Sequence, residues 1–215
     1  FYIEELRIER KNIKQKNEIL VDLKYTAEDD LKQIILIESI LFNTIESVEL
    51  LLNDIKNNHS DLTDREAVEN IFNIEVATSF IPKDGIYNEL ISTGSFELIE
   101  NRRLKSTLLE VYNHLKERNY TISRIIDDDI QDFYDTYRKE FKLKIDHLET
   151  EDQKIYGRLV VKEFEFNLDF FLSGDLIGEL TTAKSYSYNY LSLLNTTKNS
   201  YHQLISLLDE ELAGI

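Results

Sequence analysis

The chain has no cysteine, no methionine and no tryptophan, and only one proline and six glycines in 215 residues. Without cysteine there is no disulfide framework, no thiolate metal site and no cysteine nucleophile, although that absence does not select a compartment. So few helix and strand breakers imply long uninterrupted elements. Positive charge is also short: 25 Lys and Arg stand against 41 Asp and Glu, a net of −16. A surface for a polyanion starts from neutralising phosphates, so nucleic acid is excluded as a partner. No run of about 20 apolar residues occurs, and nothing within these residues reads as spanning a bilayer. There is no Gly-rich phosphate loop, nucleophile elbow or zinc-type motif. No catalytic, cofactor-binding or metal site is therefore expected.

What is present is helical periodicity. Leu6, Ile13, Leu20, Leu23, Ala27, Leu31, Ile34, Ile37, Leu41, Ile45, Val48, Leu52 and Ile55 recur at steps of three, four or seven. That is one stripe of a helix roughly 75 Å long at 1.5 Å per residue. From Leu31 to Ile55 the stripe is wide, reinforced by Ile35, Leu36, Ile40, Phe42 and Leu51, as a core-facing helix requires. From Leu6 to Leu20 it thins to one apolar residue per heptad. Thr26 with Asp29 is a possible capping box that would break the helix.

Downstream, Asn57–Asp61 reads as a loop and Thr63-Asp64-Arg65-Glu66 as a capping box opening a short helix to about Asn73. Residues 74–85, with Pro82 and the turn signal Lys83-Asp84-Gly85, are irregular. A brief helix from Ile86 to Ser92 stops at Gly94, a left-handed cap, and Ser95 is placed to cap a turn through Ile99. A long central helix is expected from Arg102 to Leu148, a further capping box at Thr150–Gln153, and a stop at Gly157. Residues 159–172 fit two patterns, because Phe164, Phe166, Leu168 and Phe170 alternate while Val161, Phe164, Leu168 and Phe171 share a helical face. With no second strand to pair with, a helix or an extended packing segment is expected there. A last helix spans Asp175 to Leu212 and ends before Gly214. The fold class is thus all-α: an antiparallel helical bundle with long N-terminal, central and C-terminal helices and short connecting ones.

The acidic run Asp127, Asp128, Asp129, Asp132 and Asp135 lacks the Gly turn of a calcium loop and reads as a solvated face. His59, His114, His147 and His202 are never three or four residues apart, and each reads as an ordinary surface or half-buried histidine. Tyr186, Tyr190 and Tyr201 line a broad face of the last helix, either as core or as an aromatic interface.

Two stretches carry a resemblance. Ile3-Glu4-Glu5-Leu6-Arg7-Ile8-Glu9-Arg10-Lys11 resembles the juxtamembrane signature of a large uncharacterised family of single-pass membrane proteins from Bacteroidota. Tyr87-x-x-Leu90-x-Ser92-x-Gly94, then Leu98-Ile99-x-Asn101-x-x-Leu104 and Leu108-Leu109-x-x-Tyr112, is similar to that family's central motif. The ending Leu207-Leu208-Asp209-Glu210-Glu211-Leu212 is similar to its C-terminus, and Leu6 stands where the family usually has Trp. The resemblance implies a transmembrane helix ending near Phe1-Tyr2-Ile3, with the acidic domain outside the cytoplasm.

Composition agrees in part. Residues 1–24 hold six Lys and Arg against five Asp and Glu, so the negative charge resides in the rest of the chain. Phe1 in place of a starting Met leads to the expectation that an upstream segment provides the membrane contact. Residues 1–24 are then a membrane-proximal helical arm and residues 25–215 the bundle domain. The expected function is a membrane-anchored, periplasm-facing interaction or sensing module without catalysis or cofactor, working through a protein partner or self-association. The alternatives are a soluble intracellular (cytoplasmic) adaptor and, behind it, a cation-binding or enzymatic bundle. The candidate interaction or structural residues are Tyr87, Gly94, Asn101, Tyr186, Tyr190 and Tyr201.

Overall fold

A single helix, α1, runs from Tyr2 to Lys56 and opens the computed structural model, which describes residues 2–74, 79–147 and 159–213. Thr26 does not break it. The threonine hydroxyl donates instead to the Asp22 carbonyl at 2.9 Å, the i−4 back-bond that lets a threonine sit inside a helix. Next come α2 (Asp64–Phe72), α3 (Gly85–Ser92), a 3₁₀ turn (Ser95–Leu98) and α4 (Arg102–Leu109). A π-helical stretch, Glu110–Leu115, leads into α5 (Lys116–Glu140). Strands β1 (Lys144–His147) and β2 (Leu159–Glu163), a short α6 (Leu168–Phe171) and α7 (Gly174–Ala213) complete the order. The architecture is an all-α helical bundle with long N- and C-terminal helices. Among the described residues no helix is long and apolar enough to cross a membrane.

The chain packs as two compact units. One comprises Phe1–Glu38, Ser79–Ser123 and Leu191–Ile215, the other Ser39–Thr78 and Arg124–Tyr190. In the first, α1 and α7 are antiparallel, as the pairs Lys16–Glu211, Lys24–Asp209, Asp30–Tyr201 and Glu38–Lys198 establish. Its core holds Leu20, Leu23, Ile34 and Ile37 of α1, Leu90 of α3, Leu104 and Leu108 of α4, and Leu194, Leu204 and Leu208 of α7. In the second unit Leu41, Val48 and Leu51 of α1 are buried with Val68 and Ile71 of α2, Phe133 and Tyr137 of α5, and Leu176 and Leu180 of α7. The i, i+3, i+4 stripe of α1 is therefore the buried face, but narrower than the sequence suggests. Ile35, Leu36 and Phe42 are half or more exposed rather than core.

The capping box at Thr63 forms as expected: its hydroxyl accepts from the Glu66 N–H while Glu66 accepts from the Thr63 N–H at 2.8 Å. Gly94 is left-handed, φ 72°, just past α3. Ser95 lies within the 3₁₀ turn instead of capping it, and its hydroxyl accepts from Thr93 at 2.9 Å.

The central helix is shorter than its periodicity predicts. It ends at Glu140 because Lys142 turns left-handed at φ 43°. The Leu143 N–H then reaches the Arg138 carbonyl and the Lys142 N–H the Lys139 carbonyl, at 3.0 and 3.3 Å. This is the hydrogen-bond pattern of a Schellman stop, built on a lysine where glycine is usual. The chain beyond forms β1, which pairs antiparallel with β2, Ile145 opposite Val161 and Asp146 opposite Val160. So residues 159–163 are a strand, and its partner is the segment whose periodicity predicts the tail of the central helix. The expected helix end at Leu148, capping box at Thr150–Gln153 and stops at Gly157 and Gly214 lie outside the described residues.

Candidate interaction groove

The first turns of α1 bury little: Ile3, Leu6, Ile8 and Ile13 are exposed, and burial begins at Lys16, Ile19 and Leu20. Lys16 is tied to Glu211 at 3.0 Å with both side chains nearly covered. Upstream of it, one face of α1 forms a wall of an open groove of about 480 Å³. That wall carries Glu5, Ile8, Glu9, Asn12 and Ile13, and the opposite wall Glu97, Leu98 and Glu100.

Two of the residues singled out from sequence clamp the second wall. Gly94 supplies the positive φ that turns α3 into the 3₁₀ segment. Asn101 is the N-cap of α4, its side-chain oxygen accepting from the Arg103 and Leu104 N–H groups at 3.0 and 3.2 Å. Between these fixed ends Ser95 and Ile99 point inward and are buried, while Glu97, Leu98 and Glu100 are exposed. The wall is thus a short segment pinned at both ends, with Ser95 and Ile99 turned to the core and Glu97, Leu98 and Glu100 to solvent.

Tyr87 anchors α3 behind that wall. Its ring stacks on Tyr112 at 4.8 Å and 14°, and its hydroxyl accepts from Asn113 Nδ2 at 3.5 Å. Tyr112 and Asn113 belong to the π-helical stretch, whose extra residue per turn shifts the side chains that follow. Tyr201 meets Tyr112 edge to face at 6.4 Å and donates its hydroxyl to Asp30 Oδ2 at 2.9 Å. The Asp30 carboxylate also accepts from the Lys83 N–H at 3.1 Å and has no exposed surface. Burial pushes its pKa up, against the partial opposition of the Tyr201 and Lys83 hydrogen bonds. Burial likewise raises the phenols of Tyr112 and Tyr201. Nearby, Lys116 bonds Asp84 at 2.6 Å and holds that carboxyl low, and Asn119 donates to the Phe80 carbonyl at 2.6 Å. This cluster is an internal support.

Of the six residues expected to matter, Tyr87 and Tyr201 are therefore joined through Tyr112, and Gly94 and Asn101 bound one segment. Tyr190, also buried, and half-buried Tyr186 belong to the second unit and Tyr201 to the first. Asp127, Asp128, Asp132 and Asp135 are exposed on α5. Among the described residues no group of three or more acidic or histidine side chains is placed to hold a metal ion.

In the second unit the structure assembles a cluster that spacing did not reveal. His59 sits in the turn after α1 at φ 56°, following Asn58 at φ 55°. Its Nδ1 lies 2.6 Å from Asp54 Oδ2 and its Nε2 2.9 Å from Asp64 Oδ1, with the ring stacked on Phe166 at 4.7 Å. Burial would depress the imidazole, but the two carboxylates outweigh it and its pKa is raised. Asp54 is lowered: burial would lift it, yet His59 and the Asp61 and Leu62 N–H groups donate to it. The available sequence signal is a pair of aspartates five residues either side of a histidine, a spacing that only a reversing turn makes useful.

No family model, no curated protein and no solved structure matches the chain.

Proposed function

We propose that the chain is a non-catalytic interaction or sensing module, tethered to a membrane through a segment upstream of Phe1 and carrying its helical bundle on the periplasmic side. The observation that carries the interaction reading is the α1 groove. Ile8, Ile13 and Leu98 are 53%, 41% and 38% exposed on two facing walls, one of them clamped by Gly94 and Asn101. A small exposed apolar surface with a polar rim is what a docking site presents before its partner arrives. The juxtamembrane likeness of Ile3–Lys11 supports the tether, and on that reading the groove lies at its base. The buried tyrosines and aspartates support the bundle from within.

The test is fractionation of the full-length protein from cells, followed by protease treatment of intact spheroplasts. The tether requires recovery with membranes and digestion of the helical domain from outside. Recovery in the soluble fraction would replace it with a soluble intracellular adaptor. For the interaction, a photo-crosslinking side chain at Ile8 should give a discrete adduct, and one at Asp128 should not. Equal yields at both sites would remove the groove from the proposal.

A further inference from the structure

We propose that the α1 groove receives a cationic amphipathic helix from a partner protein, an inference that rests on the interaction reading above and gives the partner its chemistry. The groove's apolar floor and its charge point to the same occupant. Ile8 and Ile13 from α1 face Leu98, offering purchase to two or three aliphatic side chains on one face of a helix. Around them stand Glu5, Glu9, Glu97 and Glu100, all exposed. Among the described residues Glu5, Glu9 and Glu100 enter no ion pair, and Glu97 shares only the distant end of Lys105 at 3.5 Å.

Charge is also sorted around α1. At about 100° per residue, Glu5, Glu9 and Asn12 share the groove side, while Arg7, Lys11 and Lys14 fall on the opposite side. The groove therefore presents carboxylates without the intervening cations that an i,i+4 ladder would supply. An anionic or neutral apolar segment would leave those carboxylates facing like charge or no charge. A helix with Leu at i, i+3, i+4 and i+7 and Lys or Arg flanking them satisfies both features.

The probe is a fluorescein-labelled helical peptide of Leu and Lys in that pattern, titrated by anisotropy against the 215-residue chain. A counterpart with Glu in place of Lys is titrated alongside. The Lys peptide should bind and the Glu peptide should not. Glu9→Lys with Glu100→Lys, and separately Leu98→Asp, should each weaken binding at least about tenfold. Asp128→Lys with Asp132→Lys makes the same change in net charge elsewhere and should shift it less than about twofold. Circular dichroism and melting temperature confirm that each variant is folded.

Absence of Lys-peptide binding would overturn the proposal. So would equal loss in the two double reversals, since attraction would then be to net charge alone. Mass growing with concentration in light scattering, abolished by Glu9→Lys, would make the basic side of a second copy's α1 the occupant and refute a separate partner. The fractionation result is independent of all these outcomes, so failure of the peptide experiment strikes the partner chemistry and failure of fractionation strikes the tether.

Discussion

The imidazole Nδ1 of His59 lies 2.6 Å from Oδ2 of Asp54, a carboxylate with no exposed surface. The other ring nitrogen faces Asp64 at 2.9 Å, so both hydrogen bonds form together only when both nitrogens carry protons. The ring is then an imidazolium joining the last turn of α1 to the first residue of α2. The same residue closes the helix by its backbone, its N–H reaching the Asp54 carbonyl at 2.8 Å.

The pH dependence follows from the two shifts. The His59 pKa is raised above 6.5, so its contribution to stability is complete below that value and is lost as pH rises through the folded pKa. The Asp54 pKa is lowered, so its contribution is complete above 3.8 and is lost as pH falls through the depressed value. The clamp is strongest between those limits. The gap in urea midpoint between the native chain and His59→Gln should be widest near about pH 5.5 and shrink as pH rises above 6.5 through the raised folded value. A gap independent of pH would show that His59 acts as a neutral ring.

Two fully buried aspartates should answer the same substitution in opposite ways. Asp54 accepts from His59 and two backbone N–H groups, and Asp54→Asn should cost about 3 kcal/mol in urea unfolding. Asp30 has its pKa raised by burial, so its contribution fades as pH climbs from 3.8 through the folded value. At neutral pH, Asp30→Asn should cost less than about 1 kcal/mol, because it removes a charge that burial disfavours. Similar large losses in both variants would contradict the assignment of opposite shifts.

The groove wall depends on its two end residues. Gly94 has open space where a Cβ would stand, so Gly94→Ala should cost about 1–2 kcal/mol from φ alone. Asn101→Ala should cost about 1 kcal/mol by uncapping α4. Each should also speed proteolysis near residues 95–100, and unchanged cleavage there would separate these residues from the wall's rigidity.

The stop at Lys142 offers a change in the other direction. Lys142→Gly relieves a left-handed lysine at the loss of an exposed ion pair with Glu165, which contributes little. Thermal unfolding should show a gain of about 1 kcal/mol. A loss would mean that the ion pair holds the hairpin in place.

The start of α2 and the Gly94 stop were legible because each has a local chemical cause: a capping box at Thr63 and an αL glycine after Ser92. The stop after Lys56 was legible too, as the loop Asn57–Asp61, but the stop after Glu140 was not, because the residue that turns left-handed there is Lys142. Nothing in a lysine side chain announces the turn; surrounding contacts impose it. β1 went unseen for a related reason. A strand with one apolar residue in four gains its stability from its partner, and β2 lies across a long stretch of chain.

By itself the sequence determined the class of fold and the buried stripe of α1, because helical periodicity and scarce breakers act within a few residues. It also determined the role of Gly94, which is a property of a single backbone position, whereas the capping of α4 by Asn101 came from the structure. Only the tertiary structure decided that Ile35, Leu36 and Phe42 stay exposed, that Tyr87 and Tyr201 meet through Tyr112, and that His59 lies between two aspartates. Those outcomes depend on which distant residues approach one another, and periodicity along one helix holds no information about the neighbour it will meet.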